Sequence, residues 1–393
     1  MIYPQIIGSS LISQDAKNRV ELLQSNMSSP MGAYTSNSKG HNYVRQSIAR
    51  YIEERDGPAV NADWNNIYLC NGASEAVRTS FKLLLRDQKD GVMVPIPQYP
   101  LYSALLALDG GTMVKYYLDE EKNWGLDTND IHKRIKNAKD LGINLRGIVV
   151  INPGNPTGNV LNRGDIEDII RICHENEIVI CADEVYQSNI YTDTAPFISF
   201  RKVLAEMGDP YSESVELISM HSVSKGLQGE CGLRGGYFET VNFDPFASDM
   251  IYKLKSIELC SNTIGQVAAQ LMVDPPKAGR ESDACVEQFT KERDTIFQGM
   301  QKRAGLLSDT FNSMVNTKCT KIEGAMYAFP EVIFSPKALK KAEKEQVPAD
   351  FMYCMDMVEQ TGIMTVPGSG FGQREGSYHY RMTNLVTPTE NLE

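Results

Sequence analysis

The order of apolar runs between residues 65 and 240 restricts the fold more than any other feature of this sequence. Short runs of mainly apolar, often β-branched residues alternate there with stretches of helical periodicity. This alternation is typical of an α/β domain with a mostly parallel sheet. The runs that we predict as strands are residues 67–70, 92–94, 148–151, 178–181 and 217–220. They are largely apolar along their whole length, as expected for strands that are covered on both faces.

Two helices belong to the same alternation. Residues 74–85 place Val77, Phe81 and Leu84 on one helical face, and residues 166–173 repeat isoleucine at helical spacing. The second helix lies between two predicted strands, so it is predicted to be a crossover that connects parallel strands.

The length of 393 residues predicts more than one domain, because a single core of this size is uncommon. Pro275 and Pro276 interrupt the chain, and a long helical stretch with later short strands follows them. We therefore predict a large domain over residues 32–270 and a smaller α+β domain over residues 271–393. Residues 1–31 are polar and weakly periodic, and we predict that they form an N-terminal arm.

Composition excludes some classes of function. The net charge is −11 and the basic residues are scattered, which argues against a nucleic-acid partner. No segment is long and apolar enough to predict a membrane span.

The eight cysteines include no Cys-x-x-Cys pair, which favours reduced thiols in a cytoplasmic protein. The first residues lack the pattern of a signal or transit peptide, so a cytoplasmic location is expected, or a mitochondrial one if an upstream segment is missing.

Lys225 is the first candidate for chemistry. It lies in Ser-Val-Ser-Lys directly after a predicted buried strand, and a glycine-rich run follows at residues 229–236. The carboxyl ends of such strands are where α/β sheets bind ligands. Taken alone the motif is weak, since a solvent-exposed lysine also fits it.

Asp183 is the second candidate, and it also follows a predicted strand. A buried carboxylate needs a cationic partner, and a protonated ring nitrogen of a bound cofactor would be one. The alternatives are a helix N-cap and a surface acid.

Two further loops follow predicted strands. Asn155 lies in the sequence Ile-Asn-Pro-Gly-Asn-Pro-Thr-Gly, which also fits an ordinary tight turn. Gly72, Ala73 and Ser74 precede a predicted helix, where free N–H groups and the helix dipole favour a phosphate. A turn in which Ser74 caps the helix is the alternative.

Taken together and in this order, the motifs resemble those of the fold-type I pyridoxal-phosphate aminotransferases. The resemblance runs from about residue 32 to residue 383 and adds Pro-Gln-Tyr-Pro-Leu-Tyr at 97–102, Asp-Glu-Val-Tyr at 183–186 and a late arginine, Arg381. Residues 32–34, 95–102, 229–237 and 366–373 are similar to the alanine aminotransferases in particular. The resemblance implies an α/β fold with a large domain and a smaller α+β domain.

The resemblance also implies a cofactor and its ring contacts. Pyridoxal 5′-phosphate is expected to form a Schiff base with Lys225, which then moves the proton during catalysis. Asp183 is expected to pair with the ring nitrogen, Asn155 and Tyr186 to bond the phenolic oxygen, and Tyr99 to stack on the ring.

The remaining implied contacts involve the phosphate and the substrate. The phosphate is expected to bind Ala73, Ser74, Ser222 and Arg234, and Tyr34 to reach the phosphate of the neighbouring subunit in a homodimer. Arg381 is expected to bind the α-carboxylate of the substrate, with Asn155 beside it.

The expected reaction exchanges the amino group between L-alanine and 2-oxoglutarate and yields pyruvate and L-glutamate, so the partners are amino acids and 2-oxo acids. The same motifs would serve a glutamate:glyoxylate aminotransferase. A lyase of the same fold is a further alternative, and it would release ammonia without a keto-acid acceptor. The last alternative is a truncated chain of weak activity with an incomplete small domain, because relatives usually extend further at both ends.

Overall fold

Helices and short strands alternate along the computed structural model, which describes residues 4–392. The helices are α1 (Gln14–Asn26), α2 (Asn42–Asp56), α3 (Ala73–Leu84), α4 (Leu101–Asp109), α5 (Thr128–Asp140), α6 (Arg163–Asn176), α7 (Phe200–Met207), α8 (Tyr211–Ser214), α9 (Pro245–Ile257), α10 (Thr263–Val273), α11 (Asp283–Ser313), α12 (Pro336–Glu345) and α13 (Ala349–Thr361). The strands are β1 (Ile67–Cys70), β2 (Asp90–Ile96), β3 (Thr112–Tyr117), β4 (Asn144–Ile151), β5 (Val179–Asp183), β6 (Leu217–Ser222), β7 (Gly236–Val241), β8 (Thr317–Lys318), β9 (Tyr327–Ala328), β10 (Glu331–Val332), β11 (Val366–Pro367) and β12 (Tyr380–Thr383).

The chain forms two compact units. The first comprises the residues up to Leu83 together with Ser199–Ile296, and the second comprises Leu84–Ile198 and the residues from Phe297 onward. The sequence predicts a different division, into residues 1–31, 32–270 and 271–393. That division remains a prediction.

The second unit contains four parallel strands in the order β5-β4-β2-β3. Every residue of β2 is buried, which explains why the predicted strand at residues 92–94 is apolar without alternation. Helix α6 connects β4 to β5 as a crossover, and its Ile166, Ile169 and Ile170 are fully buried. These parallel strands and their crossover helix confirm the predicted α/β class.

The first unit contains an antiparallel group of strands in the order β1-β7-β6. Helix α3 buries Val77 and Phe81, and each such side chain contributes roughly 1.5–3 kcal/mol through removal from water. The predicted strand at residues 67–70 coincides with β1, and the predicted helix at residues 74–85 differs from α3 by one residue at each end. Strand β7 was not among the predicted strands.

Helix α1 lies in the segment predicted as an arm. Its Arg19 donates to Asp274 Oδ2 at 3.0 Å and to Glu281 Oε1 at 2.5 Å, and Leu23 is buried. Ion pairs at one helical face therefore hold a segment whose sequence offers little apolar area.

Short antiparallel strands characterise the C-terminal part of the second unit. Strands β11, β12 and β9 form one small sheet, and β10 pairs with β8. The predicted long helix after the two prolines is α11, and the strands predicted near residues 325–329 and 378–382 correspond to β9 and β12. Strand β12 carries Arg381.

The cysteines are free thiols, and five of the eight are buried. Burial raises the pKa of the Cys181 and Cys319 thiols to about 12, so both stay protonated. Within residues 4–392, no helix combines the length and apolar character that a membrane span requires.

Candidate active site

Lys225 lies in a loop that begins directly after β6. Two main-chain hydrogen bonds fix this loop, from Val223 N to Gly235 O at 3.1 Å and from Glu230 N to Val223 O at 2.9 Å. Lys225 itself is half-buried, unlike the exposed lysine that was the alternative. Ser222, at the end of β6, is buried, and its Oγ accepts the N–H of Ser224 at 3.2 Å.

An anion site, formed by Gly72, Ala73, Ser74 and Arg234, lies at the N-terminus of α3. Arg234 Nη2 donates to the carbonyl of Asn71 at 2.6 Å and to Ser74 Oγ at 3.2 Å. Helix α3 begins at Ala73, so Ser74 lies within its first turn and does not cap it. A guanidinium and a helix N-terminus together favour a phosphate group.

Gly72 is required for this arrangement. Its φ is +83°, and a Cβ at this position would lie 2.7 Å from Arg234 Nη2. The missing side chain thus allows the guanidinium to approach the start of α3.

A buried ion pair supports the anion site through Asn71. Glu75 and Lys255 form a buried ion pair, and Glu75 Oε2 accepts the N–H of Asn71 at 2.5 Å. Burial lowers the pKa of Lys255. Because the carbonyl of Asn71 accepts from Arg234, the pair helps to fix the residue that orients the guanidinium.

Asp183 is the last residue of β5 and is buried, which excludes a surface acid. The hydroxyl of Tyr102 donates to Asp183 Oδ2, and Val185 N–H donates to Oδ1 at 3.4 Å. Burial, followed by the charge of Asp183, raises the pKa of Tyr102 well above its ordinary value, so its hydroxyl stays a donor. Residues 185–188 form a turn and no helix begins there, so Asp183 is not an N-cap.

Four residues of the second unit form what we call the Arg381 cluster: Asn155, Tyr186, Tyr327 and Arg381. Asn155 Nδ2 donates to the Tyr186 hydroxyl at 3.4 Å, and its Oδ1 accepts from Arg381 Nη1 at 3.1 Å. The Tyr186 hydroxyl donates to the Tyr327 hydroxyl at 3.3 Å. Burial raises the pKa of Tyr186 well above its ordinary value, and Tyr327 adds to this effect.

Aromatic rings hold the guanidinium of Arg381. It lies over the Tyr327 ring at 4.2 Å and over the Phe371 ring at 4.7 Å from the centroids. Its side-chain hydrogen bond to another described residue uses Nη1 alone, so Nε and Nη2 remain for a ligand. Such a guanidinium suits the bidentate binding of a carboxylate.

Two predicted residues are exposed. Tyr34 is 70% exposed and Tyr99 is 42% exposed, and the Tyr99 ring meets the Tyr102 ring edge-on at 6.4 Å. Neither belongs to the Arg381 cluster or the anion site.

Sequence reasoning missed three residues that contact predicted ones. Tyr102 lies in the motif at residues 97–102 but had no assigned role, although it bonds Asp183. Tyr327 lies in a predicted strand and Phe371 in the motif at residues 366–373. Neither had a predicted role, although both contact Arg381. The motifs that contain Tyr102 and Phe371 were the signals that the sequence offered.

Comparison with known proteins defines the family. Residues 13–393 match the sequence profile of the aminotransferase class I and II family. The chain belongs to this family. Glutamate–glyoxylate aminotransferase 2 of Arabidopsis thaliana is 47% identical over 379 residues, which cover 96% of this chain and 78% of that protein. Alanine aminotransferase 1 of Bos taurus is 45% identical over 395 residues, which cover 100% of this chain and 78% of that protein.

A solved structure agrees with this assignment. The alanine aminotransferase of Pyrococcus furiosus superposes with a TM-score of 0.77 at 26% identity, over 97% of this chain and 85% of that chain. The fold is therefore that of the fold-type I enzymes, and the chain is a pyridoxal-phosphate-dependent aminotransferase that acts on amino acids and 2-oxo acids.

The residues fit this cofactor. The anion site supplies a cation and a helix N-terminus, which suit a phosphate dianion. Buried Asp183 supplies an anion of the kind that a protonated pyridine nitrogen needs. Among the described residues, no group of three His, Cys, Asp or Glu side chains could hold a metal ion.

Proposed function

We propose that this aminotransferase transfers the amino group between L-alanine and 2-oxoglutarate and forms pyruvate and L-glutamate. The observation that carries the proposal is the Arg381 cluster, which offers a preorganised guanidinium for an α-carboxylate. The identity of 45% to the bovine alanine aminotransferase, over the whole chain, supports this choice of substrates.

Transfer between glutamate and glyoxylate is the second candidate. It is favoured by the 47% identity to the Arabidopsis thaliana enzyme of that name. Both reactions use an α-carboxylate and an amino group, so the Arg381 cluster serves either one.

Arg381 has a binding role in this proposal. Its Nε and Nη2 groups donate to the two carboxylate oxygens, while Asn155 and the rings of Tyr327 and Phe371 keep the guanidinium in place. Charge-assisted hydrogen bonds of this kind contribute about 1.5–3 kcal/mol each. They also orient the bond at Cα that reacts.

Lys225 and Asp183 have the chemical roles. When bound, pyridoxal phosphate supplies an electron sink for removal of the Cα proton. Lys225 Nζ would hold the cofactor covalently, and its free amine would move the proton between Cα of the substrate and C4′ of the cofactor. Asp183, oriented by the Tyr102 hydroxyl, would keep the ring nitrogen protonated, and Asn155 and Tyr186 would bond the phenolic oxygen.

The phosphate is proposed to bind Ala73, Ser74, Ser222 and Arg234. We further propose a homodimer in which Tyr34, exposed in the single chain, reaches the phosphate of the neighbouring subunit, and Tyr99 stacks on the cofactor ring. Two-fold association is the commonest form of homo-oligomer.

A cytoplasmic location stays a prediction. A relative in Dictyostelium discoideum is named a probable mitochondrial alanine aminotransferase. Fluorescent fusions of the chain in cells would distinguish the two compartments.

The substrates are tested by half-reactions. The holoenzyme is mixed with L-alanine, L-glutamate or another single amino acid, and the absorbance of the lysine-bound cofactor is followed as it converts to the amino form. We expect conversion by alanine and glutamate, and its reversal by pyruvate and 2-oxoglutarate. Reversal by glyoxylate with no response to alanine would favour the second candidate, and ammonia release without a keto acid would identify a lyase.

The covalent role of Lys225 is tested by borohydride reduction and peptide mass mapping. The label is expected on Lys225 in the natural chain and is expected to be absent from Lys225→Ala. A label on any other lysine would contradict the assignment.

A further inference from the structure

His379 is a buried histidine two positions before Arg381. Its ring Nε2 lies 3.2 Å from both carboxylate oxygens of Glu120, and its Nδ1 lies 3.2 Å from Gln373 Oε1. Its exposed fraction is 1%. Glu120 begins a short 3-10 helix, Glu120–Lys122.

Both ring nitrogens of His379 face oxygen atoms. The carboxylate of Glu120 is an acceptor, and Gln373 Oε1 also accepts the main-chain N–H of His379 at 3.0 Å, which fixes the orientation of that amide. A neutral imidazole donates from one nitrogen only. Both contacts are therefore hydrogen bonds only when the ring carries two protons.

Aromatic rings enclose this imidazole. It stacks on Phe329 at 4.8 Å with an interplanar angle of 5°, and Trp124 meets it at 5.4 Å and 66°. The indole Nε1 of Trp124 donates to Thr320 Oγ1 at 3.1 Å, so the indole is fixed as well. Rings at these distances stabilise a cation.

A continuous series of contacts connects His379 to Arg381. The two residues are two positions apart, so their side chains leave the extended backbone on the same face. The Phe329 ring, on which His379 stacks, packs edge-on against Phe371 at 5.8 Å, and the Arg381 guanidinium lies over Phe371 at 4.7 Å. The carbonyl of His379 also accepts the N–H of Gly368 at 2.8 Å, at the start of the segment that contains Phe371.

We propose that Glu120 and His379 are positioning residues that hold Arg381 in the geometry that binds a carboxylate. Neither residue touches the substrate, so each acts through Phe329, Phe371 and the backbone of β12. The inference rests on the proposed function, in which Arg381 is the carboxylate ligand.

Other charged groups surround this pair. Glu121 pairs with Lys318 at 2.7 Å, and Lys122 pairs with Asp119 at 3.4 Å. Glu331 forms a main-chain bridge to His379. The Cys319 thiol near Glu120 stays protonated, because burial raises its pKa to about 12. Glu120 is therefore the carboxylate that contacts the ring.

The test compares Glu120→Gln, His379→Gln and the control Glu121→Gln, all as holoenzymes. Glu121 is a suitable control because its side chain is 81% exposed and pairs with Lys318 at the surface. In the two positioning variants, KM for alanine and Kd for propionate, a carboxylate that cannot react, are expected to rise on the order of tenfold. We expect kcat to change by less than about twofold, the cofactor Kd to stay unchanged and the control to resemble the natural chain.

The split between KM and kcat distinguishes positioning from general destabilisation. A variant that is only destabilised should lose kcat or cofactor affinity, whereas a positioning variant should lose affinity for carboxylates alone. Should His379→Gln fail to fold, Glu120→Gln still decides the question.

The Arg381→Gln variant distinguishes failure of the proposed function from failure of the positioning role. If it leaves the propionate Kd unchanged, the proposed function is wrong at this residue. If it raises that Kd while Glu120→Gln does not, the positioning role of Glu120 and His379 is overturned and the role of Arg381 stands.

Discussion

Replacement of Gly72 by alanine tests the anion site through a single methyl group. The new Cβ would lie 2.7 Å from Arg234 Nη2 and 3.2 Å from its Cζ, and the backbone φ of +83° is unfavourable for alanine. The backbone strain costs roughly 1–2 kcal/mol. The guanidinium is the end of a flexible side chain, so we expect it to move away rather than prevent folding.

The movement should weaken cofactor binding. Arg234 Nη2 would lose its hydrogen bonds to the Asn71 carbonyl, at 2.6 Å, and to Ser74 Oγ, at 3.2 Å, and would leave the N-terminus of α3. A charge-assisted bond to the phosphate contributes about 1.5–3 kcal/mol. The Kd for pyridoxal phosphate should therefore rise roughly 10-fold to 150-fold.

Gly110→Ala is the matched control. Gly110 has a φ of +73°, and no neighbouring atom lies within 4 Å of the position that an added methyl group would take, so it has comparable strain without a collision. Both apoenzymes are unfolded in urea, and both are titrated with the cofactor by absorbance. Both should lose similar stability, and only Gly72→Ala should lose affinity. Equal cofactor Kd values for the two variants would refute the phosphate role of Arg234.

Further predictions concern the other proposed roles. Asp183→Asn should retain the cofactor yet lose on the order of 4 kcal/mol of transition-state stabilisation, measured as kcat/KM, and near-normal turnover would contradict its role. Tyr102→Phe should cause a smaller loss of about 1.5–3 kcal/mol in the same assay, because only the hydrogen bond to Asp183 is removed. Mixed Tyr34→Phe and Lys225→Ala chains should regain part of the activity if sites are shared across a dimer, and none if each chain is self-sufficient.

Local periodicity was sufficient to predict five of the first seven strands, but not β3 or β7. The apolar residues of strand β1 and helix α6 follow the pattern of a buried strand and the period of a helix. Residues close together in sequence are therefore enough to predict these two elements. Asp183 was correctly placed at the end of a buried strand for the same reason.

Contacts between distant segments could not be predicted in this way. Helix α1 is polar, and its Arg19 finds its partners more than 250 positions away. Tyr327 and Phe371 enclose Arg381 only because β9 and the 3-10 helix Gly368–Phe371 lie beside β12. No spacing rule relates such positions, so the support of Arg381 emerged only from the structure.

The partners of charged side chains distinguish structural groups from binding groups in this chain. Glu75 pairs with Lys255, and buried Asp90 pairs with two arginines at 2.9 Å and 2.7 Å. Within the described residues, Arg234 and Arg381 form no ion pair and contact neutral groups instead, namely carbonyl, hydroxyl and amide oxygens and aromatic rings. A carboxylate partner would neutralise these cations and compete with a phosphate or a substrate carboxylate. Neutral partners fix the direction of each guanidinium and leave its positive charge unpaired by a carboxylate. When an anionic ligand binds and excludes water, its attraction to that charge becomes stronger.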